Sequence, residues 1–192
     1  MQTPATALHN LPAHTLLQAY RQRTLSPVEV VQAVLDRIDR WEPHLHATWL
    51  LRPEAALAQA RASEARWLRG APQGLLDGIP CTLKDNIATC GDPTPLGTAA
   101  VDLVPAPADA PPAARLREAG AVLVAKTTMP DFGMLSSGLS SFHALARNPW
   151  DLDKGPGGSS AGAGAAAAAG YGPLHVGTDI GGSLRLPASW CG

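Results

Sequence analysis

Ala113-Ala114-Arg115-Leu116-Arg117-Glu118-Ala119-Gly120-Ala121-Val122-Leu123-Val124-Ala125 is the stretch that decides the fold. Residues 113–119 suggest a helix, Gly120 ends it, and residues 121–125 form a compact apolar strand. Upstream, Gly78-Ile79-Pro80-Cys81-Thr82-Leu83 reads as a short strand that delivers Lys84-Asp85-Asn86 at its end, before a loop rich in Pro, Asp and Thr. Strand, helix and strand in that order predict a parallel pair covered by a crossover helix, and hence an α/β class.

Further upstream, residues 11–70 read as a helical layer. Ser26-Pro27-Val28-Glu29 is a helix start, with Ser as N-cap, Pro at the first helical position and Glu three residues after the cap. Val28, Val31, Val34, Leu35 and Ile38 recur at helical spacing and define one buried face. A second, Ala-rich helix is predicted from Pro53 to Leu68, stopped at Gly70. Downstream, a Gly-rich turn and an Ala-rich helix occupy residues 155–170. The apolar segment Leu174-His175-Val176 then opens into Gly177-Thr178-Asp179-Ile180-Gly181-Gly182-Ser183. No repeat and no linker divides the chain, so residues 1–192 are expected to be one domain, with its sheet-forming part from about residue 71.

The chain has 192 residues, a formal net charge of -1 and 45% hydrophobic residues, the profile of an ordinary globular protein. No basic excess exists to hold a phosphate backbone, so nucleic acid is not an expected partner. Three cysteines at no metal-ligand spacing argue against a disulfide framework or zinc site. His44 and His46 form an HxH pair with no third ligand nearby, read as an exposed turn after Trp41-Glu42-Pro43. Neither metal nor cofactor is expected. The N-terminus has no charged region followed by an apolar stretch, and the run Ala161–Gly170 is too short to span a bilayer. The expected location is therefore cytoplasmic, away from membranes.

Lysine is scarce, with three against twelve arginines, yet Lys84 stands at the end of an apolar strand. Of these two cations only Lys can lose its proton in a protein, and a lysine base working near neutral pH needs its pKa lowered from about 10.4 to roughly 7–8. The plainer reading is a snorkelling lysine, or one salt-bridged to Asp85. Gly157-Gly158-Ser159-Ser160 precedes the helix from Ala161. It reads as a cap or as an anion-binding turn, although Ala161-Gly162-Ala163 stands where a nucleotide loop needs Gly-Lys-Ser/Thr. The glycines of Gly181-Gly182-Ser183 let backbone N–H groups turn toward a serine's reaction partner. Neither serine motif is a G-x-S-x-G elbow, and no S-x-x-K occurs.

Taken together, these segments closely resemble the amidase-signature family. Gly78-Ile79-Pro80 with Lys84-Asp85-Asn86, Pro156-Gly157-Gly158-Ser159-Ser160 and the run from Gly177 to Ala188 carry the resemblance, in the family's order and serine spacing. Residues 113–121 and Asn148-Pro149-Trp150-Asp151 also look like family segments, so the likeness runs from about the first helix to Gly192. It implies an α/β/α layered mixed sheet in a domain that continues past the nucleophile, with this chain as its N-terminal part. It also implies hydrolysis of a small-molecule amide through a serine acyl-enzyme: Ser183 as nucleophile, Ser159 as bridging serine on a cis peptide bond, and Lys84 as base. The N–H groups of Ile180, Gly181, Gly182 and Ser183 are the implied oxyanion hole. A homodimer is an assembly the resemblance allows. The alternatives are a non-catalytic fragment and a glutamine-dependent amidotransferase subunit. Two departures bear on these: Thr occupies the loop 94–98 where a family Ser is common, and Ile180 and Leu186 stand where amidotransferase subunits usually carry Thr and Gln.

Overall fold

The computed structural model describes residues 7–192. Helix α1 spans Ala13–Gln22 and α2 spans Pro27–Leu45. The second starts as its sequence demands: Ser26 Oγ accepts the Val28 N–H at 3.0 Å, and Glu29 reaches back to the Ser26 N–H at 2.8 Å. These bonds use amide groups that the first helical turn leaves without partners. Val31, Val34, Leu35 and Ile38 are buried as expected, whereas Val28 is only partly covered. Val30, outside the expected face, is fully buried in a second cluster with Leu16, Tyr20, Trp67 and Ile79, because α1 and the residues around Trp67 cover that side of α2.

The segment read as wholly helical contains a strand, β1, at Thr48–Leu51. The HxH turn also falls later than expected: α2 runs through Pro43 and His44 to Leu45, and the chain reverses at His46 in the left-handed conformation. Four residues between two long helices offer too short a pattern to read as a strand. Thr48-Trp49-Leu50-Leu51 becomes one by pairing antiparallel with Ala125-Lys126-Thr127, a partner more than seventy residues away. Helix α3 follows at Pro53–Leu68.

The rest of the chain then lays down β2 (Pro80–Lys84), α4 (Pro111–Glu118) and β3 (Val122–Thr127). It continues with α5 (Ala161–Ala169), β4 (Leu174–Val176) and α6 (Arg185–Cys191). The sheet order is β1-β3-β2-β4; β2 lies parallel to both β3 and β4, as the strand–helix–strand reading predicted for the first pair. Helices cover both faces. Val122 and Val124 pack with α2, α3 and α5, while Leu83, Leu123 and Val176 pack with α4 through Ala113 and Leu116. The mixed α/β/α layering follows from this alternation along each strand.

The small side chains of α5 bring it against the chain end of β3. A Cβ on Gly162 would run into the Ala47 carbonyl oxygen and lie 2.5 Å from the Thr128 amide nitrogen. That approach seats the start of α5, and with it Ser159, over the ends of β2 and β3.

Candidate active site

Three parallel strands end on the same side of the sheet, the place where open α/β sheets gather functional groups. Lys84 is the last residue of β2, and Thr178 follows two residues after β4, whose Val176 pairs with Leu83. Ser159 approaches from the turn before α5. Lys84 is 1% exposed, and its Nζ donates to Ser159 Oγ at 2.8 Å and to Thr178 Oγ1 at 2.9 Å. Asn86 Nδ2 donates to the same Thr178 hydroxyl at 3.1 Å. Burial lowers the Lys84 amine from 10.5 to about 8, against the opposing pull of Asp85 and then Asp179. A charged amine loses hydration in this site and gains only neutral hydroxyls in return.

The salt-bridge reading of Lys84 therefore fails: the Asp85 carboxylate bonds His143 and the Gly97 N–H instead. The cap reading of the serine pair also needs correction. Ser160 is the N-cap residue of α5, but its hydroxyl makes no capping bond; it donates to the Thr178 carbonyl at 3.1 Å and accepts the Thr178 N–H at 3.3 Å. Ser160 thus ties the α5 turn to the β4 extension. The Gly158–Ser159 peptide is cis.

Ser183 stands on the loop between β4 and α6. Its carbonyl accepts the Ser160 N–H at 2.9 Å, which places the two serine motifs side by side. The Ser183 hydroxyl has no hydrogen-bond partner among the described residues, so the direct side-chain link in this structure joins Lys84 to Ser159. The loop is shaped by Asp179, which the sequence reading did not single out. Its carboxylate accepts the N–H groups of Gly182 (2.7 Å), Leu184 (3.0 Å) and Arg185 (3.2 Å) and is gripped by the Arg185 guanidinium. Arg185 first, then these amides, hold the Asp179 carboxyl well below the usual carboxylate range. Of the four amides expected to form an oxyanion hole, Gly182 is therefore engaged by Asp179. Those of Ile180, Gly181 and Ser183 make no hydrogen bond among the described residues.

Thr178, Asn86 and Gly133 complete the surroundings. A Cβ on Gly133 would lie 3.2 Å from Ser159 Oγ, so the loop at residues 131–133 closes over that hydroxyl. Only the neighbouring motif pointed to Thr178 and Asp179, both inside the quoted run 177–183, and no local signal marked Gly133. Among the described residues, no group of three His, Cys, Asp or Glu side chains could hold a metal ion, and no helix is long and apolar enough to cross a membrane. Cys81, Cys90 and Cys191 are free.

Residues 29–192 match the family model for amidases. Among curated relatives, the A subunit of the glutamyl-tRNA(Gln) amidotransferase of Chloroflexus aurantiacus is 44% identical over 187 residues, covering 97% of this chain and 38% of that protein. The chain thus spans well under half the length of such relatives. Among solved structures, a bacterial aryl acylamidase of the amidase-signature family superposes with a TM-score of 0.88 at 34% identity, over 96% of this chain and 38% of the other. Fatty acid amide hydrolase gives 0.94 at 30% identity, over 100% and 34%. A buried lysine on a serine hydroxyl, the sheet that positions it and a family match over most of the length agree: the chain belongs to the amidase-signature family.

Proposed function

We propose that this chain supplies the base, the proton relay and the nucleophile of an amide hydrolase. The observation that carries the reading is the 2.8 Å hydrogen bond between the buried, easily deprotonated Lys84 amine and Ser159 Oγ. Neutral Lys84 takes the Ser159 proton as Ser159 takes that of Ser183. Ser183 Oγ then attacks the amide carbonyl, and the carbonyl π electrons move to oxygen. The amides of Ile180, Gly181 and Ser183 face the developing oxyanion, and Gly182 joins them if its bond to Asp179 loosens on binding. As the tetrahedral centre collapses, the C–N bond breaks and the relay returns its proton to the departing ammonia or amine. Water releases the acid from Ser183 by the same route.

The substrate in this reading is a small-molecule carboxylic amide. A fluorophosphonate serine probe tests it by intact mass and peptide mapping. One adduct on Ser183, lost in Lys84→Ala and in Ser183→Ala, is the expected result. A Lys84→Ala variant that labels and turns over amides like the unaltered protein refutes the assignment of the base.

A second reading has its own support. The curated relatives at 42–45% identity are named as A subunits of glutamyl-tRNA(Gln) amidotransferase. In this reading the amide is glutamine, and its ammonia is released for a partner. Against it stand Ile180 and Leu186, the first fully exposed beside the serine loop. Comparing hydrolysis of glutamine with that of simple aryl and alkyl amides separates the two: a strong preference for glutamine that rises on adding a partner protein favours the second.

A further inference from the structure

The turn after β2 carries a buried carboxylate that the proposed chemistry does not use. Asp85 is fully buried. Its Oδ2 accepts the Gly97 N–H at 2.6 Å and His143 Nε2–H at 2.9 Å, and its own N–H donates to the Thr127 carbonyl at the end of β3 at 3.0 Å. Ser140 closes this ring: its hydroxyl donates to the Gly97 carbonyl and accepts the His143 N–H at 2.8 Å. The segments at Gly97, Thr127 and His143 therefore meet on one residue, directly after Lys84, the first and last of them on its side chain. His143 is buried as well, and its Nδ1 and Asp85 Oδ1 have no hydrogen-bond partner among the described residues.

A carboxylate enclosed in a protein interior is poorly screened, so it acts on charged groups beyond the ones it bonds. Two buried amines flank that charge: Lys84 is the preceding residue, and Lys126 precedes Thr127, whose carbonyl the Asp85 N–H bonds. On each of them Asp85 opposes the larger effect of burial. Lys126 already bonds the Ile87 carbonyl in the same turn, whereas Lys84 has only neutral hydroxyls.

We propose that Asp85, clamped by His143 and the Gly97 N–H, is a positioning residue for Lys84, whose buried charge keeps that amine basic enough to accept a serine proton. This rests on Lys84 being the base. Burial alone drives the amine toward a weaker base, and a weaker base draws less of the serine proton in the transition state. The other charged groups around the centre are Lys126, with Asp92 and Asp109 beyond it, and Asp179 on the serine loop. Of these, Asp179 is the competing source of the same influence. It differs in being spent on the Arg185 guanidinium, which is itself 75% exposed.

The test is the titration midpoint of Lys84, read by NMR of its side-chain Cε in the full polypeptide and assigned by its loss in Lys84→Met. Asp85→Asn keeps an acceptor for the Gly97 N–H and removes the charge. The midpoint is expected to fall by about one unit, while Asp85→Glu holds it within about half a unit. An unmoved midpoint in an Asp85→Asn protein with native near-ultraviolet circular dichroism overturns the proposal. If that variant does not fold, salt decides on the unaltered protein. A buried source is poorly screened, so the midpoint should hold between roughly 0.05 and 0.5 M salt. A drift of about one unit assigns the influence to Asp179 and likewise overturns the proposal. The titration needs no turnover, so failure here stays separate from failure of Lys84 as base, which Lys84→Ala activity decides.

Discussion

Two lysines lie on neighbouring strands, at Lys84 of β2 and Lys126 of β3, and burial lowers both from 10.5 to about 8. Their surroundings differ in one respect. In register, Lys84 stands beside Thr127 and Lys126 beside Leu83, so the two side chains leave opposite faces of the sheet. Lys84 emerges under the start of α5 and meets two hydroxyls. Lys126 emerges on the Leu83 face, which α4 covers, and donates to the Ile87 carbonyl. A carbonyl has no proton to give, whereas a hydroxyl can hand one on. A lowered pKa alone therefore does not mark a base; the acceptor at the end of the amine does.

The largest expected difference between the two is in turnover. Lys84→Met should lower kcat/KM by roughly a thousandfold, and Lys126→Met, measured per folded molecule, by less than about tenfold. Equal losses would mean that the Lys126 face is part of the chemistry. Next in size is the hydroxyl itself. Ser159→Ala leaves the Lys84 amine in place and interrupts its path, and amide hydrolysis should drop by about a hundredfold or more. A variant with unchanged steady-state rates would show that Lys84 reaches Ser183 without Ser159.

The pH dependence sharpens the comparison further. If neutral Lys84 is the working form, kcat/KM should rise about tenfold per unit as pH approaches 8 from below and level off above it. Lys126→Met should leave that midpoint in place. The smallest effect is on stability. Both amines have folded values below their ordinary ones, so between about 8 and 10.5 the unfolded chain binds more protons than the folded one. Stability should therefore rise with pH across that window, by at most about 1.4 kcal/mol per unit for each lysine. Denaturant unfolding at several pH values should show Lys84→Met and Lys126→Met each removing its own share of the slope.

Much of this contrast is legible in the order of the amino acids. The end of a short apolar strand singles out Lys84, and the two glycine–serine motifs supply Ser159 and Ser183. Nothing comparable marks Lys126, which falls just beyond the strand read at residues 121–125. A register shift opposite Cys81 and Thr82 offsets β3 against β2 near Val124, and simple alternation along the sequence does not show which face the next residues take. His143 is one of six scattered histidines, and its contact with Asp85 spans 58 residues. The strand at Thr48–Leu51 escapes a local reading for the same reason, since only its distant partner makes it one.

The sequence by itself determined what local physics decides: where α2 begins, where α3 ends, which apolar runs become β2 and β3, and which residue types can exchange a proton. These depend on caps, glycines and periodicity within a few residues. Only the tertiary structure decided that Lys84 meets Ser159 and Thr178, 75 and 94 residues away. It alone decided that Asp179 shapes the Ser183 loop, and that Asp85 turns to His143 rather than pairing with Lys84. Such meetings depend on how closely α5 can approach the sheet and on which face each strand residue takes, and packing sets both over the whole core at once.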